Sequence, residues 1–266
     1  WQLAGAKLPG ANLTGANLTG IVITGTDLTG ATGLTAAQIL ATNHGWAGTR
    51  LGGSLDLHGV SFATGGFTLT NASLAGANLA GASFAGMNLT NLDLTGANLT
   101  GANFTGATIT GVSFTNATGL TLAQLASTGL SLTGISLPGV DLSNQTFGAV
   151  NLTGCDLSGV RFTNSDLSNV NLTGCNLAHA DFTGATLTNA TIANASLAGA
   201  TGLTSGQVAA TNKNWGGTRF DDSSVSFAGF NFTGYTVGSA HFARLDLHGA
   251  NLAVRGLIGA DFTGAN

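Results

Sequence analysis

The amino-acid sequence repeats every five residues over most of its 266 positions. Residues 11–20 read ANLTG twice, and close variants of this unit fill long stretches of the chain. Each unit has a central Leu or Phe, called position i here. A small apolar residue stands at i−2, Asn, Asp, Ser or Thr at i−1, and usually Gly or Asn at i+2. Forty such units are present, with centres at 3–28, 57 and 62, 69–114, 132–197 and 227–262.

A period of five fits neither the α-helix, which repeats every 3.6 residues, nor the β-strand, which repeats every two. It indicates a chain that turns once per unit, with the Gly or Asn at i+2 accommodating the corner. Side chains i and i−2 then share one face of the extended segment. One unit buries too little apolar surface to be stable alone, so the units are expected to stack on one another.

This unit resembles the A(D/N)LXX motif of the pentapeptide-repeat family. The resemblance implies an all-β fold, a right-handed quadrilateral β-solenoid with four units in each coil and with i and i−2 inside. Pairs of central phenylalanines four units apart, such as Phe84 and Phe104, agree with that coil length. We therefore expect one continuous solenoid over residues 1–266, with about ten coils.

Three similar segments interrupt the repeat, beginning with ATGLT at Ala31, Ala117 and Ala200. Each contains Thr-x-x-Gln, the capping box with which many helices begin. We predict short helices near residues 35–41, 121–127 and 204–210, each leaving the solenoid. The interruptions extend over about 31–52, 117–130 and 200–224.

The first and third interruptions also share a Trp and an Arg, namely Trp46 with Arg50 and Trp215 with Arg219. A large aromatic residue beside an arginine is typical of interface anchors. The same tryptophans could instead form a lid over the apolar gap that a departing helix leaves. The sequence leaves open whether these residues make lateral contacts or form a lid.

The two cysteines, Cys155 and Cys175, both stand at i−2 and are separated by four units, the length of one coil. Stacked in adjacent coils, their Cα atoms would lie within disulfide range, at roughly 5 Å. A buried free cysteine behaves as a small hydrophobic residue, however, and i−2 is a core position. We expect two unreacted thiols.

Charged residues at i−1 also recur at intervals of one coil. Asp141, Arg161 and Asp181 form one such series, and His241 with Asp261 forms a pair. These could be a binding site, but they are expected to be surface ion ladders of small energetic weight. His58 and His248 occur in the same tetrapeptide, DLHG, without the further ligands that a metal site requires.

The chain carries seven cationic residues and eleven acidic ones, all Asp, for a net charge of −4. So few cations cannot form a nucleic-acid-binding surface. No catalytic triad or ligand cluster is present, so we expect no enzyme activity, no metal and no cofactor. The sequence also lacks a run of eighteen apolar residues, and we expect no membrane insertion.

The family includes proteins that inhibit or protect DNA gyrase by resembling duplex DNA, which requires a strongly acidic surface. Here nine of the eleven Asp are scattered along the chain at i−1 positions. A DNA-mimic topoisomerase binder is therefore an alternative rather than the leading hypothesis. A second alternative is ice binding by the Thr columns, or another role as a protein-interaction scaffold.

The leading hypothesis is a non-enzymatic structural protein that assembles with itself, head to tail, into a filament or surface fibre. The sequence opens at Trp1 and closes at Asn266 within the repeat, and an uncapped coil is a template for further pairing. The expected contact residues are Leu3, Leu8, Leu13, Leu252, Leu257 and Phe262. An excised piece of a longer solenoid would look the same in sequence. Few Lys, no Glu and a first residue other than Met suggest an extracellular or cell-surface location.

Overall fold

A computed structural model describes residues 2–53, 55–129, 132–148, 150–254 and 256–266. Trp1, which opens the repeat, and Leu130, where the second interruption was predicted to end, lie outside the described residues. The chain forms two compact units, Trp1–Leu130 and Ser131–Asn266.

Within each unit, the residues at i−1 pair in parallel with the i−1 residues one coil away. In the first unit Ser73 pairs with Asp93, and in the second Asp141 pairs with Arg161 and Arg161 with Asp181. The bridges are isolated, and most join positions separated by four repeats of the pentapeptide. Each repeat thus contributes one bridging residue before the chain turns, which is the geometry of a β-solenoid.

The backbone hydrogen bonds follow one rule from coil to coil. Leu8 N–H donates to Asp27 O at 2.8 Å, and Asp27 N–H donates to Ala6 O at 2.9 Å. The i−1 residue therefore bonds to the coil before it, and the central residue bonds to the coil after it. These bonds give partners to backbone N–H and C=O groups that would otherwise be buried without them.

The corners explain the Gly and Asn at i+2. Gly101 has φ 66° and Asn91 has φ 56°, both in the left-handed region. Glycine adopts this region without steric cost, and asparagine tolerates it better than most residues do.

The core consists of central side chains stacked one coil apart. Phe84 and Phe104 are fully buried, with ring centroids 5.2 Å apart. In the second unit the Phe162 and Phe182 centroids lie 5.3 Å apart, as their spacing of one coil in the sequence predicts. Offset stacking of this kind adds to the stability gained from apolar burial.

Three short helices interrupt the coils: α1, Ala36–Leu40; α2, Leu122–Ala126; and α3, Ser205–Ala209. Each begins with the capping box, in which the Thr hydroxyl accepts from the Gln backbone N–H and the Gln side chain accepts from the Thr backbone N–H. None of the helices among the described residues is long and apolar enough to cross a bilayer.

The helices do not leave the solenoid, contrary to the sequence prediction. Ile39, Leu125 and Val208 point inward and are fully buried. Bridges also continue across the interrupted coils, since Asp27 pairs with Arg50 and Ser196 with Arg219. In each of these two bridges the partners are three positions further apart in the sequence than in a regular coil. The helix therefore takes the place of one side of a coil, and the coil becomes three residues longer.

Candidate functional site

The six expected assembly residues are all partly exposed. Leu3, Leu8, Leu13, Leu252, Leu257 and Phe262 are half-buried. Leu28 and Phe242, which lie in the adjacent coils, are fully buried. The half-buried side chains have a neighbouring coil on one side only, so they form two apolar edges, one in each unit.

Backbone N–H groups at the edge that contains Leu257 and Phe262 also lack the acceptors that the adjacent coil has. Phe242 N–H donates to Asp261 O at 2.7 Å, and Arg244 N–H donates to Thr263 O at 3.0 Å. Among the described residues, Phe262 N–H has no equivalent acceptor, and neither has Leu257 N–H.

The two shared tryptophans lie in the core. Trp46 is fully buried, and its Nε1–H donates to Thr42 Oγ1 at 2.9 Å. Trp215 is equally buried and donates to Thr211 Oγ1 at 2.8 Å. Buried indoles cannot anchor a partner on the surface, so their position favours the lid over the lateral contact.

The arginines that accompany the tryptophans lie on the surface, in charged columns. Arg50 is exposed and stands between Asp27 and Ser73 in the ladder. Arg219 is exposed and pairs in the ladder with Ser196 and His241. Neither arginine packs with its tryptophan as one anchor, because the indole faces inward and the guanidinium outward.

A shallow concavity of about 390 Å³ in the second unit brings several charged side chains together. It is lined by Arg219, Asp221, Asp222, His241, Ala243, Arg244, Asp261 and Thr263. The sequence indicated only the His241–Asp261 pair here, because the longer coil around α3 places Arg219 outside the regular series of positions. The column Arg219, His241 and Asp261 becomes visible once that coil is known to be three residues longer.

The charges in this concavity pair with one another. Arg219 Nε lies 3.1 Å from Asp221 Oδ2, and Arg244 Nη1 lies 3.3 Å from Asp222 Oδ2. His241 Nδ1 is 3.7 Å from Asp261 Oδ2. Because both arginines of the concavity already face a carboxylate, it presents little unbalanced charge to a ligand. We interpret it as a surface ion network.

The predicted series Asp141, Arg161 and Asp181 forms a ladder of the same type. Arg161 Nη1 is 3.4 Å from Asp141 Oδ2, and both side chains are well exposed. The pKa of Asp141 is lowered, first by the neighbouring Ser143 hydroxyl and then by the Ser143 N–H, which donates to Asp141 Oδ1 at 3.0 Å, and by Arg161. The shift therefore comes mainly from a local turn, which gives no indication of a binding site.

Cys155 and Cys175 are free, buried thiols. Cys155 Sγ donates to Leu132 O at 3.0 Å, and Cys175 Sγ donates to Leu152 O at 2.9 Å. Contact with Cys155 and burial raise the pKa of the Cys175 thiol well above its usual value. Ser165 occupies the same position i−2 and makes the same bond, to Leu142 O at 2.7 Å. A thiol or hydroxyl at i−2 can thus donate to a carbonyl of the preceding coil, a role that the sequence alone did not reveal.

The histidines of the two DLHG segments lie at the surface. His58 Nδ1 is 3.0 Å from Asp56 Oδ1, and the His58 side chain is 71% exposed. His248 N–H donates to Asp246 Oδ1 at 3.1 Å, a local turn contact. Within the described residues, no group of three or more His, Cys or Asp side chains could hold a metal ion.

The repeat also matches known family models. A model for the pentapeptide repeat region matches residues 128–201. A model for pentapeptide repeats, with eight copies, matches residues 2–32, 68–106 and 88–118. Together these segments span more than half of the chain. The chain belongs to the pentapeptide-repeat family. Its coils are those of the right-handed β-solenoid of this family.

Several solved pentapeptide-repeat structures are similar to this chain. HetL from the cyanobacterium Nostoc sp., involved in heterocyst differentiation regulation, is 21% identical, with 100% of this chain and 86% of HetL covered and a TM-score of 0.26. A trypsin-treated form of QnrB1, a plasmid-mediated fluoroquinolone resistance protein, is 15% identical. The match covers 85% of this chain and 91% of QnrB1, with a TM-score of 0.32. Rfr23 from the cyanobacterium Cyanothece is 20% identical. The match covers 53% of this chain and 91% of Rfr23, with a TM-score of 0.25. Such scores carry no argument about function. Among curated proteins there is no significant match.

Proposed function

We propose that this pentapeptide-repeat protein is a non-enzymatic structural protein that stacks on copies of itself, head to tail, through a solenoid of about ten coils. The observation that carries the proposal is the partial exposure of the central residues at the two apolar edges. Leu8 and Phe262 are half-buried, whereas Leu28 and Phe242, one coil further in, are fully buried.

Two further features support stacking between copies. The unpaired N–H groups of Leu257 and Phe262 would gain acceptors from an added coil, and an open ladder edge is a template for another chain. The net charge of −4 also provides little repulsion between copies. Because the two edges belong to different residues, their contact is heterologous and propagates instead of closing as a dimer.

The DNA-mimic alternative has less support from the charge distribution. Residues 1–130 contain five charged residues, and four of them lie in one column: Lys7, Asp27, Arg50 and Asp93. That column alternates in sign between its first three members. Duplex DNA presents one negative charge for about every 1.7 Å of its axis. No single feature of the described residues favours ice binding over the ordinary use of Thr in the repeat.

An extracellular or cell-surface location is part of the proposal. Its support is compositional, namely only two Lys and no Glu in 266 residues. Surface labelling of intact cells with an impermeant reagent tests it. Labelling only after lysis would contradict it.

The assembly test compares two adjacent substitutions. Leu257→Lys places a charge at the apolar edge, whereas Ile258→Lys changes a side chain that is 87% exposed. We expect filaments in electron micrographs of the unmodified protein and of Ile258→Lys, and monomers of Leu257→Lys in sedimentation velocity. Circular dichroism checks that both variants keep the fold.

Two results would refute the proposal. One is a monodisperse monomer of the unmodified protein at high concentration. The other is an intact mass of the native protein showing further repeats beyond residues 1–266, since added coils would cover the same edges.

A further inference from the structure

The side chain of His44 bridges two segments of the first unit. Its Nδ1 lies 2.5 Å from Gly65 O, and its Nε2 lies 2.9 Å from Leu40 O, at the end of α1. The imidazole also stacks on Phe67, with centroids 4.0 Å apart. The backbone of His44 has φ 65°, in the left-handed region.

Both partners of the ring are carbonyl oxygens, which only accept hydrogen bonds. A neutral imidazole has one N–H, so one of its nitrogens would face a carbonyl with a lone pair. The imidazolium has two N–H groups and satisfies both oxygens. The segments packed around His44 are α1, residues 21–26 and residues 61–68, and their sequences contain no charged side chain or second histidine.

The second unit has a lysine at the matching position. The segment TNHGW around His44 corresponds to TNKNW around Lys213, and Lys213 has a similar φ of 64°. Lys213 Nζ lies 5.6 Å from the centroid of Tyr235. The Tyr235 hydroxyl donates to Ala209 O, at the end of α3, at 3.3 Å. In both units a nitrogen base thus lies against an aromatic ring beside the end of a helix.

We propose that His44 is a pH-responsive clamp. In its protonated form it ties residues 61–67 to the end of α1 through two charge-assisted hydrogen bonds. Loss of one proton leaves one of the two carbonyls without a donor, and the segment 61–67 opens more often. In the second unit the helix-end carbonyl of Ala209 accepts instead from the Tyr235 hydroxyl, so that contact does not depend on a histidine.

Hydrogen exchange of a peptide covering residues 61–68 tests the proposal, with rates corrected for intrinsic pH dependence. Thr68 N–H donates to His44 O, and Gly65 N–H donates to Phe62 O, so both amides report on this segment. We expect protection to fall by about tenfold between about pH 5 and about pH 8, as for loss of one charge-assisted hydrogen bond.

Three variants make the test specific. His44→Lys carries a charge over this whole pH range, so its protection should not change between the two pH values. His44→Asn tolerates the positive φ but never carries a charge, so its protection should be low and independent of pH. His179→Asn changes a histidine with a similar φ of 60° outside this segment and should behave as the unmodified protein.

Nitrogen NMR of the His44 ring gives a second readout, with two N–H signals expected at low pH. The clamp is refuted if protection in the unmodified protein does not change with pH. It is equally refuted if the change persists in His44→Asn, or if only one ring N–H is found at low pH.

Discussion

Gly119 lies directly over Thr100, so close that a Cβ atom on the glycine would stand 2.7 Å from the threonine backbone N and Cα. The same relationship joins Gly33 to Thr14 in the coil that contains α1. The glycine of each ATGLT segment therefore stands where a central Leu or Phe would otherwise lie. It lets the chain pass close to the preceding coil just before the helix begins.

Gly119→Ala is expected to destabilise the protein by about 2–5 kcal/mol. Alanine at φ +69° costs about 1–2 kcal/mol, and the contact with the Thr100 backbone adds about 1–3 kcal/mol. Gly106→Ala is the matched control, since Gly106 has φ +66° and nothing within 4 Å of a built Cβ. Its loss should be limited to about 1–2 kcal/mol. Urea unfolding measures both, and equal losses would contradict the proposed close approach.

The sequence was sufficient to predict the coils but not the interrupted ones. The five-residue period identifies the inward side chains, and Thr-x-x-Gln identifies the start of each helix. Whether the helix stays in the coil depends on where the chain closes afterwards, which is a long-range property. Asp27 pairs with Arg50 across a coil that is three residues longer than the regular ones. Counting in whole pentapeptides therefore does not predict that these two residues are neighbours. The clamp at His44 was missed because it depends on the irregular segment 61–67, which has no repeat to follow.

Gln207 performs two tasks, of which the capping box is only one. Its Oε1 accepts from Thr204 N–H at 2.7 Å, while its Nε2 donates to Phe182 O at 3.0 Å and to Ala185 O at 2.8 Å. Gln207→Ala should cost about 2–4 kcal/mol, because it removes a cap and two bonds to the preceding coil.

Gln207→Glu separates the two tasks of this side chain. The carboxylate still accepts from Thr204 N–H but places a second oxygen against the carbonyls of Phe182 and Ala185. We therefore expect a loss of stability at neutral pH at least as large as that of the alanine variant. A glutamate variant as stable as the unmodified protein in urea unfolding would show that the bonds to the preceding coil contribute nothing.

Cys155 should be replaceable by serine but protected from reagents. Ser165 already donates to a carbonyl of the preceding coil from the same position i−2, so Cys155→Ser should change the stability by less than about 1 kcal/mol. Thiol modification of the native protein should proceed only at the rate of local unfolding, because both thiols are buried. Rapid labelling under native conditions, or an intact mass showing that a disulfide has formed, would contradict this prediction.

Asp181 links stability to pH through a local turn. Its pKa is lowered from 3.8, first by the hydrogen bond from the Thr183 hydroxyl and then by the Thr183 N–H. A depressed carboxyl pKa stabilises the fold above the unfolded value, and this stability is lost as the pH falls through the folded value.

Asn171 makes the matching bond with an amide, accepting from Thr173 N–H at 3.1 Å. Asp181→Asn should therefore be within about 1 kcal/mol of the unmodified protein at neutral pH and lose less stability below about pH 4. The reverse exchange, Asn171→Asp, should make the protein more sensitive to acid. Urea midpoints measured across this pH range test both variants, and identical acid profiles for the two would exclude the turn as the source of the pH dependence.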